Sequence, residues 1–342
     1  MTTRAPQRRR SAAAASAAAA TLLLTGCGAQ VDTPQDGQGT GSTTVTVNRC
    51  GEPVDYSTPQ RAIVYEGGSA DKMFALGLTD HVLGYVLPPA NPPVNESPWA
   101  AEYEKGEFLS DDLLNRELVV DANADFVVAG WNSGFSDSRG ITPEILDTLG
   151  IQSFMHSESC FNYPGFSEQH TPFEGLYTDL ERLGQIFGVE DRAEALVTEY
   201  KERVATVEEH APEGDPIKVF LYDFGTDKPF TAAKQVPPND IIRFAGGTNI
   251  FGEVEARWTE ASWEAVVEAE PEVIIILEYQ DQPAQEKIDF LKSNPTTATL
   301  PAVVNDNFYV LDYNKAISSP RNIDGLEGFA EYLHEYAESH RR

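Results

Sequence analysis

The chain has 342 residues, 41% of them hydrophobic, with 54 acidic against 25 basic side chains and a formal charge of −29. That length exceeds a single hydrophobic core and fits two domains of ordinary size. Such acidity argues against nucleic acid and against direct binding to anionic lipid headgroups, since both would repel it.

At the N-terminus, Arg4, Arg8, Arg9 and Arg10 precede an Ala-rich apolar stretch ending in Leu22-Leu23-Leu24-Thr25-Gly26-Cys27. A positive segment before a short apolar run is an export signal, not a fold element. The ending Leu24-Thr25-Gly26-Cys27 resembles a bacterial lipobox, whose Cys is acylated and becomes residue one. Residues 1–26 are therefore expected to be removed, leaving 342 − 26 = 316 residues that begin with a lipidated, palmitate-bearing Cys27. Loss of four Arg and no acid takes the charge to −33. No other stretch is long and apolar enough to span a bilayer, so membrane attachment is expected through the lipid alone. The run of Arg residues leaves the export route, Sec or twin-Arg, open. Residues 27–48 are rich in Gly, Thr, Gln and Asp and read as a flexible tether. With Cys27 lipidated, Cys50 and Cys160 remain. An exported chain permits a disulfide between them, and one is expected; the alternative is two separate buried thiols.

Further along, Arg61–Tyr65 reads as a strand. Ser69 caps a helix over 70–76, and Gly77 closes it. Val82–Val86 is a second strand, and residues 87–110 form a long Pro- and Asn-rich loop. A helix over Pro143–Leu149 and a strand over Ile151–Met155 complete a first lobe. Apolar residues at helical spacing from Leu176 to Val207 form the longest helical signal, with a bend expected near Gly188. Beyond it come a strand at Lys218–Tyr222, helices near 239–245 and 284–292, a strand at Phe308–Leu311 and a final helix over about 324–339.

One segment occurs twice. Residues 117–128 read ELVVDANADFVV and residues 264–275 read EAVVEAEPEVII, at a constant offset of 147. Each copy is a short amphipathic helix, an acid, and then a β-branched run, the pattern of a helix feeding a buried parallel strand. Two copies imply two similar α/β lobes facing a cleft. The expected organisation is a signal segment 1–26, a tether 27–48, an N-terminal lobe 49–173, a linking helix 174–211 and a C-terminal lobe 212–342.

Several motifs carry a family resemblance: Pro59-Gln60-Arg61-Ala62-Ile63-Val64, Leu183-Gly184-Gln185-Ile186-Phe187-Gly188, Lys228-Pro229-Phe230-Thr231, Phe244-Ala245-Gly246-Gly247-Thr248-Asn249 and Ser319-Pro320-Arg321. In this order and spacing, the chain from Pro59 onward resembles the periplasmic-binding-protein-like components of iron-siderophore and vitamin B12 ABC importers. The resemblance implies an α/β fold of two Rossmann-like lobes joined by one long helix, with the ligand held in the cleft between them. It implies a monomer at the outer face of the cytoplasmic membrane, handing its ligand to an ABC permease dimer with its ATPase. Family members carry one Glu per lobe that pairs with permease Arg residues, and Glu117 and Glu264 match those positions. The repeat reaches the same two residues independently. A role for them as dipole-favoured acids at helix starts needs no partner.

For the cleft, the expected ligand contacts are Tyr65, Trp131, Tyr222, Phe224, Trp258 and Tyr279 at or after strand ends, with Arg321 from the Ser-Pro-Arg motif. Aromatic faces grip bulky chelates, and an Arg can pair an acidic oxygen. Arg139 is a lesser candidate. Trp258 matches a cleft Trp of the vitamin B12-binding relatives. With so few Arg available, a neutral or cationic ferric hydroxamate is favoured over an anionic catecholate, with cobalamin and haem left open. No resident cofactor or metal is expected. A bare metal-ion binder is disfavoured because the six His are scattered. A secreted enzyme is disfavoured because no nucleophile elbow, zinc motif or phosphate loop appears.

Overall fold

Runs that are apolar at every position build the centre of this protein. Ala62–Tyr65, Phe126–Ala129 and Val273–Leu277 are buried throughout, as strands covered on both faces must be. The computed structural model describes residues 44–165 and 168–340. In chain order the first lobe holds β1 (Thr44–Arg49), β2 (Glu52–Ser57), β3 (Ala62–Tyr65), α1 (Glu66–Ala75), β4 (Val82–Val86), α2 (Ala100–Tyr103), β5 (Glu107–Ser110), α3 (Arg116–Asp121), β6 (Phe126–Ala129), α4 (Pro143–Thr148) and β7 (Gln152–Met155). Two helices follow, α5 (Pro172–Phe187) and α6 (Glu190–Glu209). The second lobe holds β8 (Ile217–Tyr222), β9 (Phe230–Ala232), α7 (Pro237–Phe244), β10 (Gly247–Asn249), β11 (Trp258–Glu260), α8 (Trp263–Ala269), β12 (Val273–Glu278), α9 (Ala284–Ser293), α10 (Pro301–Val304), β13 (Phe308–Asp312), α11 (Tyr313–Ala316) and α12 (Arg321–His340).

Each lobe centres on a parallel sheet, ordered β5-β4-β3-β6-β7 in the first and β10-β8-β12-β13 in the second. One continuous core runs between the lobes through Leu176, Leu180 and Leu183 of α5, Val197 and Val204 of α6 and Leu326 of α12. A separate apolar cluster fills the other face of each sheet. The lobes therefore share an interior and are not beads on a string.

Three expectations change. The tether is shorter than the composition suggests, because Thr44–Asn48 pair with β2 in an antiparallel hairpin. Tyr56 of that hairpin is wholly buried, and its hydroxyl donates to the Ser153 carbonyl of β7 at 3.0 Å. The loop over 87–110 contains α2 and the edge strand β5. Ser69 lies inside α1 and caps nothing; its hydroxyl shares a 2.9 Å hydrogen bond with His156 Nε2 instead.

The link between lobes is two helices and not one. Gly188 takes φ 70°, the left-handed conformation that ends helices and that glycine adopts without strain. The chain then turns back, so that Lys201 of α6 lies over the Tyr177 ring of α5, 5.2 Å from its centroid. The expected disulfide is present: Cys50 and Cys160 are bonded with Cα atoms 5.2 Å apart, tying the β1–β2 turn to the segment after β7. Cys27 and the signal segment lie outside the described residues. Among the described residues no helix is long and apolar enough to cross a membrane.

Candidate functional site

In both sheets the chain starts in the middle and winds outwards in two directions. β3 leads to β4 and β5 on one side, while β6 and β7 lie on the other; β8, β10, β12 and β13 repeat this arrangement. Such a reversal leaves a crevice at the carboxyl ends of the central strands, where ligands bind in open α/β sheets. Here the two crevices face one another. Together they enclose a cavity of about 300 Å³, at the small end of the usual range for ligand sites. Six strand ends contribute: Glu66 after β3, Trp131 after β6, His156 and Glu158 after β7, Asp223 and Phe224 after β8, Tyr279 after β12 and Tyr313 after β13. The small antiparallel sheet of β9 and β11 adds Phe230 and Trp258, with Arg257 just before β11. Grooves of about 540 and 560 Å³ lie between helices and engage no strand end, and one of about 600 Å³ lies past the ends of β4 and β5, walled by Leu87, Phe108 and Asp111 with Gln280 and Asp281 of the second lobe.

Strand alternation sorts the side chains. Tyr65 and Tyr222 end their strands buried in the outer clusters, and the next residue in each case, Glu66 or Asp223, lines the cavity. Glu66 does so with φ 65°, uncommon for a residue other than glycine. Each acid receives a phenol. Tyr313 of the second lobe donates to Glu66 Oε1 at 2.9 Å, across the cleft, and Tyr279 donates to Asp223 Oδ1. Burial pushes the Glu66 carboxyl up to about 7 against the opposing effect of the Tyr313 hydrogen bond. Burial likewise raises Asp223 to about 6, opposed by the Tyr279 bond and by Lys287. The His156 imidazole is held well below its ordinary range by burial and by the Lys72 and Arg257 cations, so it is neutral.

A second bridge crosses the cleft. Arg257 of the second lobe pairs with Glu158 Oε1 of the first, with the two side chains 16% and 4% exposed. The pair is incompletely satisfied: Glu158 Oε2 and Arg257 Nε are buried without a hydrogen-bond partner, as is the adjacent Ser159 hydroxyl. Glycines allow the lobes to come this close. A Cβ on Gly67 would lie 2.5 Å from Asn314 Nδ2, and one on Gly68 would lie 2.4 Å from the Ser318 carbonyl oxygen. Beneath them, fully buried Lys72 donates to Asp179 of α5 at 2.6 Å and to Ser318 of the second lobe at 2.8 Å.

Of the residues expected at the cleft, Trp131, Phe224, Trp258 and Tyr279 line the cavity. Three do not. Tyr65 and Tyr222 point into the lobes for the alternation reason above, and Tyr222 packs against Trp263 and Phe290. Arg321 is buried at the start of α12, 3.5 Å from Asp312, and serves the lobe interface. Arg139 stands behind the wall, donating to the Ser133 and Gly134 carbonyls at 2.7 and 2.8 Å. Sequence reasoning missed Glu66, Asp223, His156, Glu158, Arg257 and Tyr313. A signal existed for the first two: Tyr65-Glu66 and Tyr222-Asp223 repeat 157 residues apart, each closing an apolar run.

Neither Glu117 nor Glu264 lines the cavity. Both are exposed, in the first turn of α3 and of α8 respectively. Among the described residues no group of three or more His, Cys, Asp or Glu side chains could hold a metal ion.

A family model described as periplasmic binding protein matches residues 62–314. A vitamin B12-binding protein of Photorhabdus laumondii is 26% identical over 227 residues, which span 66% of this chain and 74% of that protein. Among solved structures, a periplasmic binding protein from Veillonella parvula superposes with a TM-score of 0.73 at 25% identity, covering 85% of this chain and 98% of that one. An ABC-type Fe3+-hydroxamate transport system from Saccharomonospora viridis gives 0.70 at 25% identity, covering 84% and 98%. With two wound sheets meeting at one cleft and a match running from β3 to α11, the chain belongs to the periplasmic binding protein family.

Proposed function

We propose that this protein is the extracytoplasmic solute-binding component of an ABC importer and that its cargo is a ferric siderophore of the hydroxamate type. The observation that carries the reading is the cavity between the lobes, walled by Trp131, Phe224, Trp258 and Tyr279 and lined by Arg257 as its single Arg. Aromatic faces suit a bulky chelate shell. The scarcity of guanidinium groups disfavours a tricatecholate, whose charge would need them. The similarity to the Saccharomonospora viridis Fe3+-hydroxamate system points the same way. The cleft as it stands is small for such a cargo, so the Tyr313–Glu66 and Arg257–Glu158 contacts part to admit it. The role is capture and release without catalysis.

Delivery follows from the ends of the molecule. Lipidated Cys27 holds the body at the outer face of the cytoplasmic membrane as a monomer, and Glu117 and Glu264 dock it on an ABC permease dimer driven by its ATPase. A single acyl chain anchors only marginally, so stable attachment takes more than one. Cys27→Ser is expected to release the protein into the medium; retention in the membrane fraction would refute the anchor.

A second reading, cobalamin as cargo, is favoured by one observation. Trp258 lies in the cleft at the position suggested by the vitamin B12-binding relatives, one of which matches across most of the chain. Titration of the mature chain, followed by tryptophan fluorescence, separates the two. A ferric trihydroxamate, a ferric tricatecholate, cobalamin and haem are compared at equal concentration. Quenching by the trihydroxamate at the lowest concentration supports the first reading, and tighter binding of cobalamin replaces it with the second.

A further inference from the structure

We infer that the cleft selects chelates carrying a net positive charge, receiving an ammonium or similar cationic arm between Glu158, Glu66 and Asp223. The inference rests on the reading of the site as a ferric hydroxamate cleft and adds the charge of the cargo. Three carboxyl groups line the cavity, of which burial leaves Glu66 only partly ionised at neutral pH, against the single guanidinium of Arg257 and a neutral His156. The nearby cations Arg139 and Lys287 stand outside the lining and are spent on backbone carbonyls, of Ser133 and Gly134 in one case and of Leu277 in the other.

Acidity alone would not make a site. The independent observation is Glu158. Its side chain is 4% exposed, one oxygen takes Arg257, and the other is buried on the cavity wall with no donor. An unpaired buried carboxylate oxygen is costly. A donor supplied by the ligand removes that penalty, and a cationic donor does so most strongly. Ser159, whose hydroxyl is also unpartnered, lies beside it to orient the arm. On the other side of the ion pair, the open Arg257 Nε–H can take a chelate oxygen. The aromatic walls support the same conclusion. Phe224 stacks on Phe230 at 4.8 Å and Phe230 on Trp258 at 6.3 Å, and the faces of such rings attract cations.

The test is a charge series on one scaffold. A linear ferric trihydroxamate with a free terminal ammonium (net +1), its N-acetyl derivative (net 0) and its N-succinyl derivative (net −1) are titrated into the mature chain. Expected is a loss of about tenfold or more at each step from +1 to −1. In Glu158→Gln and Asp223→Asn the +1 over 0 ratio should fall to threefold or less, whatever the change in absolute affinity for the N-acetyl chelate; a ratio kept at tenfold in both would overturn the assignment of the arm to these acids. Equal affinity across the series, or tighter binding of an acylated form, overturns the charge selection and leaves the hydroxamate reading standing. Failure of all three to bind, with cobalamin binding, overturns both.

Discussion

In the first lobe, Asn115 caps α3 by accepting from Leu118 N at 2.9 Å, Asn123 takes φ 52° to end the turn, and Asp125 accepts from Gln60 N and Arg61 N at 2.9 and 2.8 Å. In the second lobe, Ser262 caps α8 by accepting from Ala265 N at 3.1 Å, Glu270 takes φ 52°, and Glu272 accepts from Lys218 N at 2.9 Å. All three pairs keep the 147-residue offset. At the opposite, cleft-facing ends of the strands the likeness thins. Glu66 and Asp223 still correspond, but Trp131, Glu158 and Arg257 have no counterpart in the other lobe. What the lobes share is the means of satisfying backbone groups where a helix hands over to a strand. What they do not share is what a ligand touches. A pseudo-symmetric frame can meet a two-fold partner on its outside and hold an asymmetric cargo within.

The sharpest way to break that comparison is through the symmetric face. Ala at both Glu117 and Glu264 should leave chelate affinity unchanged and reduce uptake of radiolabelled ferric chelate severely, each single change less so. Loss of one member of a desolvated charge pair costs about 2–5 kcal/mol. Normal uptake at matched protein level would reduce both acids to helix-start residues. The disulfide is the next largest difference, since it belongs to the first lobe alone. Ser at both Cys50 and Cys160 should lower unfolding stability by about 2–4 kcal/mol, read from a urea titration. A midpoint unchanged from the parent would show that the hairpin is held by Tyr56 and Arg49 without it.

Trp258 tests the asymmetric interior. Trp258→Ala should weaken ferric-chelate binding more than tenfold, about 1.4 kcal/mol. Trp131→Ala probes the opposite wall, and unchanged affinity in both would place the cargo elsewhere. The last test concerns the acids at the lobe interface. Burial raises Glu66 and Asp71 to about 7 and Asp223 to about 6. The folded chain keeps these protons at pH values where the unfolded chain has released them. Their contribution to stability is full below about pH 4 and is lost as the pH rises through 6 to 7, by up to about 1.4 kcal/mol per pH unit for each group. Urea midpoints of the apo protein should therefore fall across this window, and Asp223→Asn should flatten the slope. A midpoint that rises there would contradict the burial argument.

The frame was legible because its signals are local. A short amphipathic helix, an acid and a β-branched run lie within twelve residues, and both copies folded as read. The link was misread because helical spacing records which face of a helix is apolar, not where the chain doubles back. Gly188 marked the break but not the direction of α6. The edge strand β5 was missed because Glu107 and Phe108 are exposed, leaving no alternation to detect. In the cleft, residues at the ends of apolar runs were visible, but the face each one presents depends on register: one residue's shift separates buried Tyr65 from cavity-lining Glu66. Arg257 gave no signal, because it stands just before β11, a short strand that only pairing with distant β9 brings to the cleft.

The buried Lys72 has a consequence for how the protein opens. Its ammonium rests on Asp179 of α5, which packs with the first lobe and also accepts from Ser157 N at 2.8 Å; only the Ser318 hydroxyl comes from the second lobe. When the lobes separate, the ion pair travels intact with one of them, and a single hydrogen bond to a charged group is broken, worth about 1.5–3 kcal/mol. The ion pair at the base of the cleft thus acts as a bearing: it keeps the Lys72 charge neutralised whether or not the second lobe stays in contact.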